Sequence, residues 1–420
     1  MAKNELISIY CFGEEIGKLG YDENRATSFF QYHPDLLGSG RYSNLFPFVI
    51  RRMPQVQVFA KYTSDTFRSL PPAIADSLPD VFGNMVFRTW MEQTGRQLGS
   101  ISVLEQLAYV GRRGMGALEY MPAKEVKGTA TIDLKEITAV VEQVLQNKGS
   151  VSAGKMDSIS LLNIFKIGTS AGGVRPKILV AANNTTGEII PGDMVYDAGY
   201  EHYLIKLGIE EGLTYSREVV EYIYYLMATA AGIDMMPAKL IEGRHFATLR
   251  FDRQDGEKKH VLTATGIAGL DHKDVAVSGY EKLFDLCVSL KLPHADIEQL
   301  YRRMVFNRMF ANEDDHLKNH SFIYNKEQDN WRLSPAYDIT YSLNPELNFT
   351  RTQRALSVNG KRTDITTDDM LAVAAKYTVK NATGIIEEVK KVAGMWPETA
   401  TAYGVPPHII QSIERSFRIN

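Results

Sequence analysis

Asn312-Glu313-Asp314-Asp315-His316-Leu317-Lys318-Asn319 decides how this chain is read. It follows a long helix-like run, Ile297 through Phe310, and its acids, histidine and amides break that pattern. Asp314 and Asn319 stand in an Asp-x-x-x-x-Asn spacing. In a kinase catalytic loop of that spacing the Asp accepts the substrate hydroxyl proton and the Asn holds Mg²⁺. Asp315 has no Asn at the same remove, so Asp314 is the expected base. The plainer alternative is that Asp314 caps the next turn and the other side chains are solvated.

A cation at Asn319 asks for a second hard oxygen ligand. Ser321-Phe322-Ile323-Tyr324 and Trp331-Arg332-Leu333 read as a hairpin, and Pro335-Ala336-Tyr337-Asp338 follows at once. Such a hairpin would return Asp338 beside Asn319. Phosphate grips are expected further upstream. Gly168-Thr169-Ser170-Ala171-Gly172-Gly173-Val174-Arg175-Pro176-Lys177 is a glycine-rich turn opening a strand, where backbone N–H groups can approach phosphate oxygens. It matches neither GxGxxG nor the Walker loop. Lys206 lies inside the apolar strand Tyr203-Leu204-Ile205-Lys206-Leu207, so it is either buried beside an acid or a surface lysine. Glu218 and Glu221 on the following helix are the candidate partners.

The chain has 420 residues, 47 Lys+Arg against 50 Asp+Glu, and a formal charge of −3. That length suggests two or three domains. With 44% hydrophobic and 23% charged residues, general disorder is excluded, and the near-zero net charge argues against nucleic-acid binding mainly through one large basic face. Cys11 and Cys287 fit no metal pattern and read as reduced thiols. No run approaches a bilayer span and no apolar signal core opens the chain, so a soluble, cytoplasmic protein is expected.

Ile7–Tyr10 and Glu15–Tyr21 flank Gly13 as a hairpin. Gln55–Ala60 reads as a strand with Val56, Val58 and Ala60 on one face, and Leu70-Pro71-Pro72 as a stop. Helices are expected in the run through Trp90, around Leu104–Ala108 with Gly111 as terminator, and over 130–147. Gly111-Arg112-Arg113-Gly114-Met115-Gly116 follows a helix where a phosphate fingerprint would follow a strand, so it reads as a tight connection. Strands at Lys177–Ala182 and His202–Leu207, a helix over 216–231 and a strand at Arg244–Phe251 describe a small sheet with one helix. From about 280 the pattern is helical, interrupted at 312–342.

Together these residues resemble the HipA family, serine/threonine kinase toxins of bacterial toxin–antitoxin modules. The resemblance also rests on Pro72–Gly83, Gly114–Pro122 and Arg250-Phe251-Asp252-Arg253. It implies an α+β, two-lobed protein-kinase-like fold, with an N-terminal α/β subdomain (1–125), the rest of the N-lobe (126–255) and a mainly helical C-terminal lobe (256–420). It implies Asp314 as catalytic base, Asn319 and Asp338 as magnesium ligands, and Lys206 on the α/β-phosphates with Glu221 as its partner. Gly172, Gly173, Val174, Arg175, Pro176 and Lys177 would cover the phosphates. Leu249, Arg250 and Phe251 would form the adenine hinge, with His316, Lys318 and Tyr337 also near ATP. Ser170 would be an inhibitory autophosphorylation site. Two departures stand out: Asp315 replaces a small residue and would alter the charge near the hydroxyl, and Leu249 is apolar where a polar side chain can occur.

The resemblance further implies ATP and Mg²⁺ as cofactors and a protein substrate, typically an aminoacyl-tRNA synthetase. The implied partner is a small helix-turn-helix antitoxin of HipB type, through which operator DNA is reached indirectly. Two other readings stand beside this one: a lipid or small-molecule kinase, for which no basic or amphipathic membrane surface is found, and a catalytically silent corepressor.

Overall fold

The computed structural model describes residues 6–79, 81–93, 101–124, 132–146, 175–192, 199–209, 212–254, 256–346 and 353–419. The chain divides into two compact units, 1–211 with 247–261, and 212–246 with 262–420.

The first unit opens with the expected hairpin, β1 (Leu6–Cys11) and β2 (Glu14–Asp22), paired antiparallel with a register shift at Ile9/Tyr10. Along β1 every second residue, Ile7, Ile9 and Cys11, is buried, the period-two pattern of a strand with one face in a core. Gly13 turns the hairpin at φ +79°, backbone that an L side chain rarely adopts. Then come β3 (Thr27–Tyr32), α1 (Pro34–Ser39) and β4 (Gln57–Val58).

The strand expected over Gln55–Ala60 shrinks to these two β4 residues, and its faces are inverted. Phe59 is 4% exposed while Val56 and Val58 are 50% and 58% exposed. Burying the aromatic ring removes more apolar surface from water than either valine would. Pro72 does not stop regular structure either. It starts α2 (Pro72–Ala75), because proline fits the first helical turn, where its missing N–H has no intrahelical acceptor to lose.

Next are α3 (Val81–Gln93), α4 (Val103–Val110), β5 (Leu118–Met121) and α5 (Leu134–Gln146). Ser102 caps α4 by accepting from Glu105 N at 3.0 Å, and Gly111 ends it by donating to Leu107 O. The first sheet runs β4-β3-β2-β1-β5. A second sheet uses β6 (Lys177–Asn183), β7 (Ile189–Pro191) and β8 (Tyr200–Lys206). The chain leaves the unit through α6 (Arg217–Ala230) and β9 (Ala238–Ile241), then returns in β10 (His245–Leu249). Four strands of this sheet lie in the order β7-β6-β8-β10. β11 (Arg253–Gln254) and β12 (Glu257–Lys258) form a short hairpin, and β13 (His260–Thr263) follows.

The second unit is mainly helical. It contains α7 (Ala264–Ala268), α8 (Tyr280–Ser289), α9 (His294–Met309), the hairpin β14 (Ser321–Asn325) and β15 (Asn330–Leu333), α10 (Thr367–Lys376), α11 (Ala382–Lys391), α12 (Trp396–Ala402) and α13 (Pro407–Arg415). An aromatic core fills its centre. Tyr224 meets Phe306 at 6.2 Å and Trp396 at 5.8 Å, and Phe310 meets Phe306 at 4.6 Å and Phe417 at 4.9 Å. The polar ends of these rings are satisfied: Tyr224 Oη donates to Phe310 O at 2.8 Å and Trp396 Nε1 to Ile410 O at 3.0 Å. This core sits under the end of α9, where the acidic loop begins. Among the described residues no helix is long and apolar enough to cross a membrane.

Candidate active site

The end of α9 is fixed by its own backbone. Phe310 N donates to Phe306 O and Asn312 N to Asn307 O. Between them Ala311 sits at φ +53°, a left-handed conformation that a non-glycine residue holds only when its surroundings impose it. Glu313 N then donates to Ser342 Oγ at 2.7 Å, and Leu317–Asn319 closes a single 3₁₀ turn. Asn319 Nδ2 donates to the Asp314 carbonyl at 3.0 Å, which ties the two ends of the Asp-x-x-x-x-Asn spacing together. That bond uses the amide nitrogen and leaves the amide oxygen available to a cation.

The hairpin returns the chain to this loop. Ser334 N donates to Ser321 O, Tyr337 Oη donates to Lys318 O at 2.8 Å, and Tyr337 and Ser321 hydroxyls are hydrogen-bonded. Asp338 follows at φ +55°, and its carbonyl accepts from Asn312 Nδ2 at 3.4 Å. Asp315, Asn319, Tyr337 and Asp338 line one small cavity. Burial raises the Asp314 pKa, His316 pulls it down, and the charges of Asp338 and Asp315 push it up again. Asp314 is nonetheless an exposed residue. A carboxylate, an amide oxygen and a neighbouring acid whose ionisation is opposed by like charge fit a hard dication, which takes oxygen ligands. Among the described residues no group of three His, Cys, Asp or Glu forms a ready-made metal cage. Mg²⁺ sites built with substrate phosphates do not require one.

The Asp315 side chain is 1% exposed and pairs with Arg354 at 2.5 Å, and its charge is still among those that raise the Asp314 pKa. Arg354 and Tyr280, which enclose it, carry no local motif and were not legible in the sequence. His316 and Lys318 are half-buried on the loop.

In the first unit, Lys206 ends β8 and is 6% exposed, which overturns the surface-lysine alternative. It stands in register with Lys177 of β6, also buried, and Leu207 N donates to Pro176 O. Arg175 is half-buried. Gly172, Gly173, Val174 and Ser170 lie outside the described residues. Glu218 and Glu221 are buried near the start of α6, in the second unit.

Leu249, Arg250 and Phe251 follow the line of β10, and Arg250 N donates to His202 O at 2.9 Å. The Arg250 side chain serves another purpose. It forks onto Asp252 at 2.9 and 2.7 Å, and Arg253 reaches Asp252 at 2.7 Å. Gly116 N also donates to Asp252 at 2.7 Å, while Arg253 donates to the carbonyls of Gly114 and Gly116. The glycine-rich Gly111–Gly116 segment is therefore a pinned structural connection, as its position after a helix suggests. A Cβ on Gly116 would lie 3.2 Å from the Val261 backbone, at φ +74°.

Comparison with known proteins agrees with this architecture. Residues 7–121 match the HipA N-terminal domain and residues 169–396 the HipA-like C-terminal domain, the latter more than half of the chain. The HipA of Shewanella oneidensis, solved with HipB and operator DNA, superposes with a TM-score of 0.64 over 97% of each chain at 16% identity. That likeness establishes the α+β, kinase-like HipA fold. A Sinorhizobium fredii protein named "Putative kinase Y4dM" is 28% identical over 168 residues, which span 37% of this chain and 39% of that protein. Matches to both domains of one family, in its order and on its fold, make this chain a member of the HipA family.

Proposed function

We propose that this chain is an ATP-dependent protein kinase that phosphorylates serine or threonine and acts as the toxin of a toxin–antitoxin pair. The observation that carries this reading is the assembly of Asp314, Asn319 and Asp338 by the 3₁₀ turn and the Tyr337 hydrogen bonds. Phosphoryl transfer asks a protein mainly for positioning and charge neutralisation. Asp314 would orient the hydroxyl and take up its proton. Asn319 and Asp338 would hold Mg²⁺, which when bound neutralises triphosphate charge. Lys206 would contact the α/β-phosphates with Glu221 holding it in place. Residues 172–177 would cover the phosphates, and Leu249–Phe251, His316, Lys318 and Tyr337 would complete the nucleotide site.

Several finer points belong to the same proposal. The substrate is a cellular protein, with an aminoacyl-tRNA synthetase the first to try. Ser170 is an autophosphorylation site, where added charge next to the phosphate loop would repel ATP. The Shewanella protein's complex with HipB and operator DNA supports a small helix-turn-helix antitoxin here, with DNA reached through it. The test is γ-labelled ATP with Mg²⁺, the full chain and cell lysate. Label on serine or threonine, in the lysate or on the chain itself, is expected. A chain that labels no protein and does not bind nucleotide overturns the proposal.

A further inference from the structure

The proposed base has an acidic neighbour that faces the other way. Asp315 Oδ2 accepts from Arg354 Nη2 at 2.5 Å and from Tyr280 Oη at 2.6 Å. Tyr280 Oη in turn accepts from Asn307 Nδ2 at 3.0 Å. The Arg354 guanidinium, 0% exposed, also donates to the carbonyls of Asn307 and Asn312, both at 3.1 Å. One side chain thus joins the last turn of α9, the entrance of the acidic loop and the residue beside Asp314.

Its own segment is anchored. Ala355 N donates to Glu313 O at 2.8 Å, and Tyr280 N donates to Ser357 O at 2.9 Å. Arg362 donates to the carbonyls of Arg354, Ala355 and Ser278. The second carboxylate oxygen, Asp315 Oδ1, has no partner among the described residues. It borders a cavity of about 10 Å³, roughly one water, that Asn319, His320 and Asp338 also line.

A buried ion pair adds little net stability compared with an apolar pair of the same shape, because both charges lose their hydration. What it supplies is fixed geometry, and a displacement of about 1 Å at a reacting group can lower a rate about 100-fold. We propose that Arg354 and Asp315 form a positioning clamp that sets the placement of Asp314 and Asn319 for phosphoryl transfer. This rests on the kinase reading of the same loop. Arg354 does not touch substrate; it acts through the loop backbone.

The decisive variant is the double change Asp315→Asn with Arg354→Gln. It removes both buried charges together, so no buried carboxylate is stranded as it is in Arg354→Gln alone, and an unchanged circular dichroism spectrum shows that the fold is kept. Expected results are a kcat lowered about 10- to 100-fold, a KM for ATP within about threefold, and faster hydrogen exchange at the amides of residues 312–319. Arg354→Lys keeps the ion pair but loses the two carbonyl bridges, so it should restore part of kcat. A double variant with kcat within about twofold of the parent, or with unchanged loop exchange, overturns the clamp. A parent chain that transfers no phosphate overturns the kinase reading instead, and loop exchange then decides the clamp alone.

Discussion

Asp252 and Asp314 are the same residue in opposite electrostatic settings. Asp252 lies in the first unit with none of its surface exposed. Burial alone would raise its pKa, but Arg250 and Arg253 hold it well below the usual carboxylate range. Asp314 lies in the second unit with much of its surface open to solvent, and partial desolvation of its carboxyl, together with Asp338 and Asp315, raises its pKa against the pull of His316. The first acid has partners for its charge and holds chain segments together. The second faces two like charges against one histidine, a setting that suits the proposed proton acceptor. Two aspartates in conspicuous motifs thus sit in opposite surroundings, one suited to holding chain segments together and the other to the proposed proton transfer.

The most severe test of that contrast is Asp314→Asn. Transfer of labelled phosphate should fall at least 1000-fold, roughly 4 kcal/mol in the barrier. The melting temperature should stay within about 1 °C, since little is lost when an exposed carboxylate becomes an amide. Full activity in this variant would erase the distinction. Asp252→Asn should do the reverse. It leaves two guanidiniums buried without a counter-charge and should lower unfolding free energy by about 3 kcal/mol in denaturant titration. An unfolding midpoint that does not move would mean that the cluster is not structural.

Asp338→Asn sharpens the comparison from the metal side. Asparagine tolerates the left-handed backbone at φ +55°, so what changes is the charge. Calorimetry should show Mg·ATP binding weakened about 10- to 100-fold while ATP binding in EDTA changes little. Equal loss in both would remove Asp338 from the metal site.

The smallest effect concerns pH. Burial lowers the His260 pKa to about 3, so the folded protein keeps this ring neutral. The unfolded chain takes up the proton near pH 6.5 and the folded chain does not. Stability therefore falls as pH drops from about 6.5 toward 3, by up to about 1.4 kcal/mol per pH unit from this group. His260→Gln should reduce that slope in urea titrations at pH 5 and pH 7, the rest belonging to His320 and His202, whose pKa values burial also lowers; an unchanged slope assigns it wholly to other groups.

Much of this was legible because it is local. The alternation at Ile7, Ile9 and Cys11, the long helix ending at Phe310, and the five-residue step from Asp314 to Asn319 all express short-range geometry. The return of Asp338 followed from a hairpin of ordinary length. The clamp was not legible, because Tyr280, Asp315 and Arg354 meet across 35 and 39 residues of chain and no spacing rule links them. The adenine-hinge reading of Leu249–Phe251 gave no sign that the Arg250 side chain turns back onto Asp252, which accepts from a glycine loop 136 residues upstream. At Val56–Val58 the alternation was real but its phase was wrong, because the aromatic ring between the valines claimed the core.

Ala311 carries a consequence for anyone who modifies this protein. An alanine held at φ +53° carries about 1 kcal/mol of torsional load. Glycine would relieve it but would give up a fully buried methyl and free the unfolded chain, so Ala311→Gly should leave the melting temperature nearly unchanged. The same change would add slack one residue before the hydrogen-bonded entrance of the acidic loop, so the protein should turn over more slowly. At this single methyl group, strain is exchanged for order in the loop that follows.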